Sequence, residues 1–145
     1  MVEQLLSYAT LLSVGLMSVK EYNNILDELF LEMPEDSLLL DLEFVSSDIS
    51  ETISIINDYC LKRSVDYDVF GRSLMNALKK TYHEYGSNIE NYTSAIYTLW
   101  GTLPLSIRSN EPFHTMCYAG DPLSWGDEKQ SRELCEEMLH YYDKR

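Results

Sequence analysis

A chain of 145 residues with 24 acidic and 11 basic side chains carries a net charge of −13. That charge sets it against direct contact with nucleic acid or an anionic membrane, both of which repel it. A 45% hydrophobic content with few Gly or Pro and eleven Tyr reads as one folded domain over residues 1–145, not as a disordered segment.

The charge is unevenly placed. Glu21 to Leu61 holds eleven acidic residues and neither Lys nor Arg. The window is also rich in Leu, Ile and Phe, so it has to fold with its charges outside.

From Glu3 to Leu12, Leu5, Leu6, Ala9 and Leu12 recur at helical spacing, and Gly15 is placed to end that helix. Ser18-Val19-Lys20-Glu21 is a capping box. It opens a helix with Tyr22, Ile25, Leu26, Leu29, Phe30 and Met33 on one side and Glu21, Glu28 and Glu32 on the other, stopping before Pro34. Asp36 or Ser37 starts a third helix through Ser46, apolar almost all round. Such a helix is usually buried, so burial of Leu40 and Phe44 is expected. The alternative is that both are exposed anchors within an acidic rim, the pattern of an interface core.

Asp48-Ile49-Ser50-Glu51 is a second capping box, for a helix to about Arg63 with Ile49, Ile53, Ile56 and Cys60 inward. Asp66 is expected to cap a longer helix to Tyr85, with Gly86 where a C′ glycine belongs. Asn88 starts a helix through Trp100, and a last one runs from about Asp127 to Tyr142. No stretch shows sustained period-two alternation. The fold class is all-α: a single bundle of six or seven helices with one long packed loop at 102–126.

That loop carries Phe113, His114, Asp121 and Trp125. Its apolar content predicts that it packs on the domain, with a short helical turn near Phe113 to Tyr118; Phe113 and Trp125 are either plugs that seal the core or part of a binding loop. Loops of this length in compact domains are often functional. His114 as a base oriented by Asp121 or Asp127 would suit a small hydrolase or lyase. Trp100, Phe113 and Trp125 around a groove would suit a regulatory adaptor.

His114-x-x-Cys117 and Cys135-x-x-x-x-His140 look like two halves of a zinc site. The second pair has the wrong helical spacing, so no metal is expected. Cys117 with His83 or His140 lacks the third orienting group and glycine run of a nucleophilic site. Phosphate-binding, dinucleotide and EF-hand patterns are missing, so no cofactor and no catalysis are expected. The longest apolar run, Leu11 to Met17, falls far short of the ~20 residues of a membrane span. Met1-Val2-Glu3-Gln4 lacks the basic start of a signal peptide. Cytoplasmic residence with the three cysteines reduced is expected.

A small, acidic, helical chain of this pattern resembles the immunity proteins that bacteria pair with secreted nucleases and other polymorphic toxins. The likeness is one of size, charge and helical pattern along the chain. It implies one-to-one inhibition, with acidic side chains covering a basic catalytic cleft. The expected contact residues are Glu21, Asp27, Glu28, Glu32, Asp36 and Glu43, and the expected partner is a basic protein.

Overall fold

A computed structural model describes residues 1–144, without the side chain of Lys144. The described chain is all-helical: α1 (Val2–Ser13), α2 (Val19–Glu32), α3 (Ser37–Phe44), α4 (Ile49–Leu61), α5 (Tyr67–Tyr85), α6 (Ile89–Trp100), α7 (Thr115–Tyr118) and α8 (Glu128–Leu139). Two 3-10 turns, Asp121–Trp125 and Tyr141–Lys144, flank α8. Eight α-helices among the described residues exceed the six or seven expected, and the extra one is the short α7 inside the 102–126 segment. Contacts gather into two compact units, Met1–Asp66 and Tyr67–Arg145. No helix among the described residues is long and apolar enough to cross a membrane.

The predicted starts form because their side chains satisfy amide groups that a helix end leaves bare. Ser18 accepts from the Glu21 amide at 3.1 Å and Asp48 from the Glu51 amide at 3.1 Å. Asp36 accepts from the amides of Leu38 and Leu39, at 3.0 and 3.1 Å. Asn88 and Asp127 do the same for α6 and α8.

In the 1–66 unit α1 packs along α4, and α3 packs against both α2 and α4. Leu5, Ala9, Leu11, Tyr22, Leu26, Leu39, Leu42 and Ile56 are buried. Burial of each large apolar side chain contributes about 1.5–3 kcal/mol. Ile49, expected inward, is exposed at the first turn of α4. Leu40 and Phe44, expected to be buried, are 47% and 92% exposed. The reason is geometric: α3 turns Leu38, Leu39 and Leu42 inward, and its neighbours cover only that face.

In the 67–145 unit α8 packs against α5, α6 and α7, and α6 contacts α5 and α7. Tyr92 is buried, donates its hydroxyl hydrogen to the Leu78 carbonyl at 2.9 Å, and meets Tyr82 and Tyr85 edge-on. The segment after α6 is fastened by its own polar groups. The Trp100 indole N–H donates to the Arg108 carbonyl at 3.0 Å, and the Arg108 guanidinium donates back to the Leu103 and Gly101 carbonyls. Phe113, 3% exposed, is a plug as expected, whereas Trp125, 63% exposed, is not.

The final turn is held by Asp143, whose carboxylate accepts from Lys79 Nζ at 2.9 Å and bonds His140 Nδ1 at 2.6 Å. These contacts, His140 first, lower the Asp143 carboxyl below its usual value. The stability it lends is therefore present above that value and is lost as acid protonates it.

Beside it Tyr142 lies on bare backbone at Gly71, where an added Cβ would overlap the Tyr142 hydroxyl and come within 3.0 Å of Phe113. Gly71→Ala should therefore expel Tyr142 and cost about 1–3 kcal/mol in chemical denaturation, the scale of overpacking. In a Tyr142→Ala background the same substitution should cost much less. Equal costs in both backgrounds would remove this contact as the reason for the glycine.

Candidate functional site

The asymmetry of charge follows the division into units. Residues 1–66 contain thirteen acidic and three basic side chains, net −10, against eleven and eight in 67–145, net −3. The Lys79–Asp143 and Arg132–Glu128 ion pairs lie within 67–145.

The six expected contact residues divide by environment. Asp27, Glu28 and Glu32 are exposed on α2, while Glu21, Asp36 and Glu43 are half-buried. Asp36 spends its carboxylate on capping α3. At 100° per residue, Asp27, Glu28 and Glu32 lie in one stripe of α2 around Leu31, which is 79% exposed. Asp36, Leu40, Glu43 and Phe44 likewise share a face of α3, being three and four residues apart.

Asp27 and Glu43 join the two faces. Across α2 and α3, Asp27 stands near enough to Glu43 to act on its carboxyl. Burial first, and then the Asp27 contact and charge, raise the Glu43 carboxyl above its ordinary value. The surface so formed has an apolar centre at Leu40 and Phe44 and carboxylates around it. Two buried polar atoms without a hydrogen-bond partner lie on the same part of α2: the Tyr22 hydroxyl and Asn23 Oδ1. Burial, and after it the Glu43 charge, push the Tyr22 phenol up to about 12. The Thr52 hydroxyl eases this a little without the geometry of a bond to Tyr22, and donates to the Val45 carbonyl at 3.3 Å.

Behind this surface, a groove of about 360 Å³ between α3 and α4 is bordered by Asp41, Asp58, Lys62 and Arg63. Two of the unit's three bases therefore stand near Asp41 and Asp58. Arg63 is further committed: its guanidinium lies 3.5 Å from the Tyr59 ring centre and donates to the Tyr59 carbonyl.

The loop candidates do not come together. Phe113 is core, and Trp125 faces outward. His114 Nδ1 lies 3.8 Å from Cys117 Sγ, with its ring edge-on to Tyr118. Among the described residues His114 makes no hydrogen bond to Asp121 or Asp127, and Asp127 is occupied in capping α8. The base–orienter pair expected of a hydrolase is thus not assembled. Nor is the groove expected of an adaptor, since Trp100 is bound to Arg108 and Phe113 is inside.

Cys117 pairs with neither His83 nor His140. Burial, then the charges of Asp121 and Glu111, raise its thiol, which opposes a thiolate nucleophile. Cys135 is fully buried with its thiol at about 12, whereas His140 is exposed and turned to Asp143. Among the described residues no group of three or more His, Cys, Asp and Glu is placed to hold a metal ion. All three cysteines are free thiols.

Comparison with protein-family models, with curated proteins and with solved structures finds no match for this chain. Its reading therefore rests on its own geometry.

The Asp27–Glu43 pair has a thermodynamic signature. A carboxyl whose folded value is raised lends its stability at low pH and loses it as pH rises through that value. At neutral pH the pair opposes folding, and Glu43→Gln removes the second charge. The variant should gain roughly 0.5 kcal/mol at pH 7, the scale of an exposed like-charge pair, and the gain should vanish at acid pH. Thermal melts across pH test this, and a gain independent of pH would rule the pair out as its source.

Proposed function

We propose that this protein is a non-catalytic binding protein that docks a basic partner through the α2–α3 face. Its role would be that of an immunity or inhibitor protein neutralising a secreted, nuclease-like toxin domain. The observation that carries this reading is the exposure of Leu40 and Phe44 inside a rim of carboxylates on the more acidic unit.

Each part has a physical task. A phenyl ring 92% open to water gains about 2 kcal/mol when a partner covers it, so Phe44 is an anchor. Asp27, Glu28, Glu32 and Glu43 supply the negative potential that steers a cationic surface to it. A cleft shaped for nucleic acid is rich in Lys and Arg, and such a cleft is the complement of this face.

Surface plasmon resonance against the product of the neighbouring gene, as the candidate basic partner, tests the assignment. Leu40→Ala with Phe44→Ala should speed dissociation by about thirtyfold, corresponding to ~2 kcal/mol of lost anchor burial. Glu28→Lys with Glu32→Lys should slow association about tenfold or more and flatten its dependence on salt. Kinetics unchanged in both pairs would remove this face as the interface.

A further inference from the structure

A second feature, in the 67–145 unit, is independent of that face. A cleft of about 490 Å³ opens between α6 and the segment running from α7 into the first 3-10 turn. Its size falls within the ~300–1,000 Å³ of small-molecule sites. One wall is a single helical face, Glu90, Thr93, Ser94 and Tyr97, at spacings of three and four residues. Cys117 and Asp121 stand on the other wall.

The two walls meet at a fixed point. A Cβ on Gly120 would lie 2.9 Å from Thr93 Oγ1, so glycine lets the far wall close on α6 there. The Ser131 hydroxyl holds the end of α7 by donating to the Ala119 carbonyl at 2.7 Å. The cleft is therefore built into the packing and does not depend on a mobile side chain.

Its chemistry is one-sided. Among the described residues neither Lys, Arg nor His lines it. Neither Glu90 nor Asp121 has a basic side chain in ion-pair contact among the described residues. The Thr93 and Ser124 hydroxyl protons are already given to the carbonyls of Glu90 and Asp121, at 3.1 and 2.8 Å. What these groups still offer is lone pairs. Even the thiol records the negative field, since after burial it is the Asp121 charge that raises Cys117. The ring of Tyr97, itself exposed, adds an electron-rich surface on the α6 wall.

A lining with two carboxylates and, among the described residues, no basic side chain repels anions. Among the described residues no group of three or more His, Cys, Asp and Glu is placed there to hold a metal ion. We infer that the cleft between α6 and the α7 segment binds a small organic cation, an alkylammonium or diammonium compound. Its charged head sits between Glu90 and Asp121, and its methylenes lie against Tyr97.

Titration calorimetry of the full chain with 1,4-diaminobutane at low ionic strength tests the proposal. One-to-one binding is expected, weakened about tenfold or more by Glu90→Gln and by Asp121→Asn. Both substitutions are at exposed positions, and circular dichroism would verify their folding. Bound diamine should also slow alkylation of Cys117 by iodoacetamide, followed on the Cys117 peptide. Neutral 1,4-butanediol and magnesium chloride should produce neither effect. Absence of diamine binding would overturn the inference, as would equal binding of butanediol or of magnesium. So would affinity that survives both cleft substitutions but is lost in Glu28→Lys with Glu32→Lys, which would mean adsorption to the acidic face. Because the cleft and that face are tested by different variants, either assignment can fail without the other.

Discussion

A helix packed on one side can bury only part of its circumference, and α3 has more apolar residues than that part can hold. Leu38, Leu39 and Leu42 take the buried positions, which leaves Leu40 and Phe44 in water. In a stretch whose charged side chains are all carboxylates, those two become the apolar centre of a charged surface. The functional reading depends on this limit of packing more than on the charge. Acidity alone would be satisfied by a soluble protein with no partner.

The carboxylates of the same surface are not arranged for the stability of the free protein. Asp27 and Glu43 face one another across two helices, and Glu28 and Glu32 stand one turn apart. Like charges so placed oppose folding by a few tenths of a kcal/mol each. A partner's Lys or Arg brought against them would turn that repulsion into attraction. The buried Tyr22 hydroxyl and Asn23 Oδ1, without partners, add to the cost carried near this face.

The C-terminal unit solves a different problem. The 102–126 segment contains enough apolar residues to require burial and too little periodicity to form a long helix. It is fixed instead by single contacts: Arg108 on the end of α6, Phe113 against Phe70, Ser131 on Ala119, and the bare backbone at Gly71 under Tyr142. Closing the segment on α6 in this way leaves a polar cleft beside Thr93 and Gly120. The cleft is a product of that packing, and its negative lining comes from residues that carry no shared sequence motif.

Much of this was legible in the chain. Capping residues and apolar periodicity are local properties, so Ser18, Asp36, Asp48, Asn88 and Asp127 marked helix starts that the fold keeps. The seven long helices follow from them, and the excess of negative charge in the first half is read directly from the residues. The face of α3 that meets water was not legible, because an all-round apolar helix gives no direction and only its neighbours supply one. The nearness of Asp27 to Glu43 and the sharing of one cleft by Glu90 and Asp121 were hidden for the same reason. Each joins residues 16 or 31 positions apart through packing that no local pattern encodes. Sequence determined which segments are helical and where the charge lies, since both are set residue by residue. Tertiary structure decided which side chains share a surface, since that depends on how much of each helix its neighbours can cover.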